Sequence, residues 1–179
     1  MNRCGVPVAI AFAIALGACG KVQEKTVEKA IESSLSKDGT QAKVNLSDGG
    51  MKISTTDAAG KTTQMELGAA KISESDLGLP FYPGAKPNEG GGMRVASGDS
   101  VSLQVGLHSD DAPDKVAAFY RDKLKAMADG KQLIDMPGGP DGASLSLMDD
   151  KAKSSLQVHV SKAEKGSDIA ITSIRQGAK

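Results

Sequence analysis

From residue 21 onward the chain switches between two hydrophobic periods. Val27, Ala30, Ile31 and Leu35 recur at helical spacing among Lys and Glu, and Asp38-Gly39 stops them, which predicts a helix over 21–37. Three short runs of period two follow: Val44 and Leu46, then Met51 and Ile53, then Met65 and Leu67. Ser47-Asp48-Gly49-Gly50 and Asp57-Ala58-Ala59-Gly60 supply the turns between them, so the pattern predicts a β-meander. Three short strands are marginal alone. The helix is therefore expected over their apolar face, making residues 19–68 one helix-plus-meander module.

Gly68 to Asp76 is polar, and Pro80, Pro83 and Pro87 then forbid helix, so residues 69–88 read as a Pro-rich extended linker. Glu89-Gly90-Gly91-Gly92 reads as a flexible loop. Met93 to Ala96 and Val101 to His108 form a hairpin across Ser97-Gly98-Asp99, with Val101, Leu103, Val105 and Leu107 on one face. A second helix is predicted with Asp111 as N-cap, Pro113 in its first turn and an end near Ala128. Its buried stripe is Val116, Phe119, Tyr120, Leu124 and Met127. Four strands complete the chain: Gln132 to Met136, Ala143 to Met148, Ser155 to Ser161 and Ile169 to Arg175. The fold class is α+β, a small helix plus three-stranded meander and then a larger antiparallel sheet with one helix packed across it. Residues 89–179 form the larger α+β sandwich domain.

The first residues follow a different logic. One basic residue, Arg3, precedes an apolar run from Val6 to Leu16, too short to cross a hydrocarbon core of about 30 Å as a helix. It ends in Leu16-Gly17-Ala18-Cys19, which resembles the lipobox of bacterial lipoproteins. That resemblance implies a signal peptide at 1–18, lipidation of the Cys19 thiol by acyl chains of the palmitate kind, and a membrane anchor. The implied location is the bacterial cell envelope, periplasm-facing, and Gly20 in place of Asp favours the outer membrane. Behind the lipobox, helix and Gly-rich meander, Leu79-Pro80-Phe81-Tyr82-Pro83-Gly84-Ala85 is similar to a segment of a group of uncharacterised bacterial lipoproteins. That likeness implies the layout and brings no activity, cofactor or site residues.

Charge and composition narrow the remaining classes. The chain has 22 basic and 22 acidic residues, and processing would remove Arg3 alone among them, so nothing draws it to nucleic acid or anionic lipid. Cys4 lies within the signal, which leaves no second thiol for a disulfide. Beyond the signal the only aromatics are two adjacent pairs, Phe81-Tyr82 and Phe119-Tyr120, and such scarce large side chains are expected to share one cluster, with Phe81 and Tyr120 mostly buried.

No motif for catalysis or a cofactor emerges. Ala59-Gly60-Lys61-Thr62 resembles the end of a phosphate loop, but Thr55 stands where its first Gly is required. There is no G-x-S-x-G and no H-E-x-x-H. His108 and His159 sit on strand faces opposite the apolar residues, and no Asp or Glu falls at a strand position matching either, so no metal site is expected. The unusual feature is the outward face itself. Ser100, Ser102, Gln104, His108, Ser144, Ser146, Ser155, Gln157, His159 and Ser161 make it small, uncharged and polar, where exposed sheets usually carry Lys, Glu and Arg. Gln104, His108, Gln157 and His159 are the candidate partner-binding residues. The repeat of Ser-Leu-Gln-Val at 102–105 and 155–158 reads as chance in a Ser-rich chain. The functional expectation is a non-catalytic, lipid-anchored binding or assembly module with an envelope protein partner. The alternatives are an inhibitor or immunity partner of a cell-wall-active enzyme, or a hydrolase using a strand histidine as base.

Overall fold

Every strand among the described residues enters one antiparallel sheet. The structure, a computed structural model, describes residues 20–177 except 38 and 48, so the expected signal peptide at 1–18 and Cys19 lie outside the described residues. In chain order the elements are α1 (Gly20–Leu35), β1 (Gln41–Ser47), β2 (Gly50–Thr56), β3 (Thr62–Ala70), α2 (Glu74–Leu77), β4 (Lys86–Ser97) and β5 (Ser100–Ser109). They continue with α3 (Pro113–Ala126), β6 (Gln132–Pro137), β7 (Gly142–Asp149), β8 (Ser154–Lys162) and β9 (Ser167–Gln176). The nine strands lie in the order β1-β2-β3-β4-β5-β9-β8-β7-β6. After β5 the chain crosses the sheet through α3, starts again at the far edge with β6, and returns by a meander until β9 pairs with β5. The fold is α+β, and the meander continues into the larger sheet through the pairing of β3 with β4.

The sheet changes its buried side part-way across. In β5 to β9 the apolar residues Leu103, Val105, Leu107, Leu145, Leu147, Val158, Val160, Ile169 and Ile171 point to one side, where α3 covers them with Val116, Ala117, Tyr120 and Leu124. In β1 to β4 the apolar residues point to the other side, in two cross-strand rows: Val44–Ile53–Met65–Val95 and Leu46–Met51–Leu67–Met93. The switch falls between β4 and β5. There Met93 pairs with Gln104 and Val95 with Ser102, while Arg94 pairs with Leu103, so apolar faces polar across one ladder.

The Pro-rich segment, expected as an extended linker, is part of the core. It opens with α2, held by a capping box in which Ser73 accepts from the Asp76 N–H and the Asp76 carboxylate accepts from the Ser73 N–H, and Gly78 closes it in the left-handed conformation. Leu77, Leu79 and Tyr82 are then buried. The Tyr82 N–H donates to the Tyr120 hydroxyl oxygen at 2.9 Å, and Phe119 lies edge-on to both tyrosine rings at 5.2 and 5.1 Å. The aromatic cluster therefore forms with Tyr82 in the place expected for Phe81. Phe81 is half-buried at the core's margin, and its N–H donates to the Glu74 carboxylate at 2.7 Å.

Three further expectations are corrected. Ala112, not Asp111, caps α3 and makes no side-chain bond, because the Asp111 carboxylate is already taken by the Tyr82 hydroxyl at 2.7 Å and the Lys115 ammonium at 2.9 Å. The glycine run expected as a loop belongs to β4, with a bulge against Gly68. A Cβ on Gly91 would stand 2.1 Å from the Gly68 carbonyl oxygen, and one on Gly92 2.6 Å from that of Ala70, so only glycine lets these backbones approach. Finally, α1 does not lie over the apolar face of the meander. It runs along the outer edge of β1, where Glu28, Glu32 and Ser36 accept the backbone N–H groups of Leu46, Val44 and Ala42 at 2.6, 2.8 and 3.0 Å. Four helical residues rise about 6 Å and two strand residues about 6.8 Å, so acceptors four apart meet donors two apart. Val27 and Leu35 are left 48% and 40% exposed.

Candidate functional site

The four predicted partner-binding residues all lie on the side of the sheet opposite α3, and pairing with β9 sets their spacing. Gln104 and Gln157 are both opposite Thr172, giving a continuous Gln104–Thr172–Gln157 row that Ser146 of β7 extends. One row away, Ser102 and Ser155 flank Ile174. The two Ser-Leu-Gln-Val tetrapeptides thus pair with the same four residues of β9, in the same register, one on each side. What reads as chance in the sequence is a structural repeat: one strand flanked by two copies presents Ser and Gln outward and Leu and Val to the core, where Leu103, Val105, Leu156 and Val158 are buried.

The histidines do not meet. His159 shares a row with Ala170 and Ser144, whereas His108 lies one row further along and two strands away. At about 4.8 Å per strand and about 6.8 Å per row their backbones are roughly 12 Å apart, too far to share a metal ion. The expectation that no carboxylate matches either histidine is wrong. Asp168 pairs directly with His108 across the ladder, and its Oδ1 is 3.0 Å from His108 Nδ1, with both side chains substantially solvent-exposed. The apolar alternation starts at Ile169, which predicts a strand from there, yet β9 begins at Ser167. The Ser167 side chain is buried and donates to the Asp111 carbonyl oxygen, which pins the strand's first residue and carries Asp168 into the ladder. Sequence reasoning also passed over Asn88, whose amide reaches to within 3.2 Å of the place a Cβ would take on Gly106 and so lies between Gln104 and His108.

Around His108 and Asp168 there is an open hollow of about 540 Å³ whose rim carries Ala163, Glu164 and Lys165. Among the described residues no hydroxyl or thiol is hydrogen-bonded to His108, and no group of three or more His, Cys, Asp or Glu could hold a metal ion. The opposite side of the sheet is held shut by charge as well as packing. Arg121 of α3 grips Asp135 of β6 with two hydrogen bonds, at 2.5 and 3.2 Å, and this holds the Asp135 carboxyl below the usual carboxylate range. Burial pushes the Tyr120 phenol up to about 12, so it keeps its proton while accepting the Tyr82 N–H.

No helix among the described residues is long and apolar enough to cross a membrane. The chain matches no family model, no curated protein and no solved structure.

Proposed function

We propose that the protein is an envelope lipoprotein, held by acyl chains on Cys19 and facing the periplasm from the outer membrane, that acts without catalysis as a binding or assembly module. The observation that carries this reading is the Gln104–Thr172–Gln157 row: a flat, uncharged line of amide and hydroxyl groups at the centre of a sheet side that no helix among the described residues covers. A surface of that kind offers donors and acceptors at a lower desolvation cost than charged groups would carry, and it suits a partner that lays polar backbone or amide groups along it. The helix-plus-meander at residues 19–68 serves as the anchored end, and the strands beyond β4 carry the binding side. An inhibitor or immunity partner of a cell-wall-active enzyme would use the same face. The test replaces Gln104, His108, Gln157 and His159 together by charged residues in the lipidated protein. Loss of an envelope partner on co-purification, with the denaturation midpoint kept, is the expected result; retention of every partner removes this face from consideration.

The His108–Asp168 pair favours a second reading. A carboxylate on Nδ1 orients an imidazole, which is what a general base needs. Against a hydrolase stands the want of a nucleophile bonded to that imidazole among the described residues. Turnover of an envelope substrate that disappears in His108→Ala and falls sharply in Asp168→Asn would make the enzyme reading the better one.

A further inference from the structure

The two apolar rows of β1 to β4 face away from α3, and α1 sits chiefly on β1, so the core helix does not cover these side chains and the N-terminal one reaches chiefly those of β1. Only Val44 among them is buried. The neighbouring row, Ala42–Thr55–Thr63–Ser97, adds no charge, because Lys52, Glu66 and Arg94 all alternate to the other side. The end of this surface nearest the start of α1 is an open hollow of about 540 Å³, where Leu46, Met51 and Leu67 meet Glu24.

What covers it can be argued from chain position and size. Four strands at about 4.8 Å and two rows at about 6.8 Å give roughly 300 Å², well short of the ~800 Å² per partner that a stable interface buries, which disfavours a second copy. A side resting on the bilayer surface would carry a rim of Trp, Tyr or cations, and these rows have none. Three of these half-buried side chains, Met51, Met65 and Met93, are instead unbranched and adaptable, which suits a flexible hydrocarbon chain. In sequence Cys19 directly precedes Gly20, the first residue of α1, and from Gly20 to Glu24 the helix rises about 6 Å. A group on its sulfur is held at this hollow at a high effective concentration, so even a weak site would fill.

We propose that the apolar side of β1 to β4 shelters an acyl chain carried on Cys19 while the protein is outside a bilayer. The site is built to take a saturated hydrocarbon chain, and it lowers the apolar area that a lipid-modified protein exposes in water between membranes. The inference rests on the lipidation of Cys19 proposed above, and its test is made independent of it by attaching the chain chemically. In a chain running from Cys19 to Lys179, Cys19 is the sole thiol and can be alkylated with a sixteen-carbon iodoacetamide bearing a terminal diazirine. Illumination of the detergent-free monomer should place intramolecular crosslinks on the β1–β4 peptides that contain Leu46, Met51 and Leu67. In Met51→Asp/Leu67→Asp these crosslinks should fall at least tenfold and the alkylated protein should move to large assemblies, while the unalkylated variant stays monomeric. The milder Met51→Ala/Leu67→Ala variant gives the same reading at smaller amplitude if the charged pair does not fold, and Lys52→Asp, on the other side, should change nothing. Crosslinks confined to β6–β9, crosslinks only between molecules, dimerisation of the unalkylated chain, or binding of that chain to phosphatidylcholine vesicles would each overturn the proposal. Absence of acyl groups from the protein isolated from cells would instead sink the anchoring reading and leave this one standing or falling on the crosslinks.

Discussion

The Glu32 carboxylate accepts the Val44 N–H at 2.8 Å, and that bond does for the edge of the sheet what a tenth strand would otherwise do. An edge strand presents a row of unpaired donors that invite another chain, and α1 answers with Glu28, Glu32 and Ser36 at one-turn spacing. The helix is therefore anchored to the sheet by its polar residues, which is why Val27 and Leu35 remain in water. Glu28→Ala/Glu32→Ala should release two of the three bonds. We expect faster amide exchange at Ala42, Val44 and Leu46 and concentration-dependent association by light scattering. Glu28→Gln/Glu32→Gln, which keeps a carbonyl acceptor at each place, should retain most of the protection.

Tyr120 supplies the only side-chain acceptor for a backbone N–H in the buried aromatic cluster. Tyr120→Phe leaves the Tyr82 N–H without a partner and should cost about 1–3 kcal/mol, read from the denaturant midpoint. Tyr82→Ala should cost about 3–5 kcal/mol, as for other buried aromatics. Phe81→Ala should cost clearly less than Tyr82→Ala. The reverse order would place Phe81 and not Tyr82 at the centre of the cluster.

Two stretches of pH should erode stability for opposite reasons. Asp111 is held below its ordinary pKa by the Lys115 ammonium and the Tyr82 hydroxyl, and Asp135 by Arg121. Their contribution is complete above the unfolded-state carboxylate pKa of about 4 and is lost as pH falls through the lower folded-state values. Asp111→Asn/Asp135→Asn should therefore flatten the acid limb of the stability curve. At the alkaline end Tyr120, raised to about 12, stays neutral in the fold while the unfolded chain ionises near 10. Stability should decline between about pH 10 and pH 12, and Tyr120→Phe should remove that part of the decline.

Much of this architecture is written in local patterns. Alternation in Leu103–Leu107 and Val158–Val160, the helical stripe from Val116 to Leu124 and the Asp-Gly stops place most elements within a few residues. Three things were not legible because they depend on partners distant in sequence. Whether Gly90–Gly92 is a loop or a bulged strand depends on Gly68 lying close enough to exclude any Cβ. Which aromatic enters the core depends on where α2 aims the chain, and the signal for α2, Ser73 followed by Asp76, is present but sits in a stretch read as polar linker. The position of α1 was misjudged because its apolar stripe suggests burial, while the choice is made by Glu28 and Glu32 meeting an edge whose spacing only the sheet creates. For the candidate binding side, the residues were legible but their arrangement was not. The repeated Ser-Leu-Gln-Val was the available signal, and its meaning appears only once β9 lies between the two copies.

A binding role requires that the open side of β5 to β9 meet a partner in the envelope. The most direct measurement is photocrosslinking in living cells, with a photoreactive amino acid placed in turn at Gln104, at Gln157 and, on the helix-covered side, at Lys123. Gln104 and Gln157 should capture one and the same envelope protein in the lipidated chain while Lys123 should not. Capture of that protein from Lys123 alone, or of none from either glutamine, would contradict the binding role.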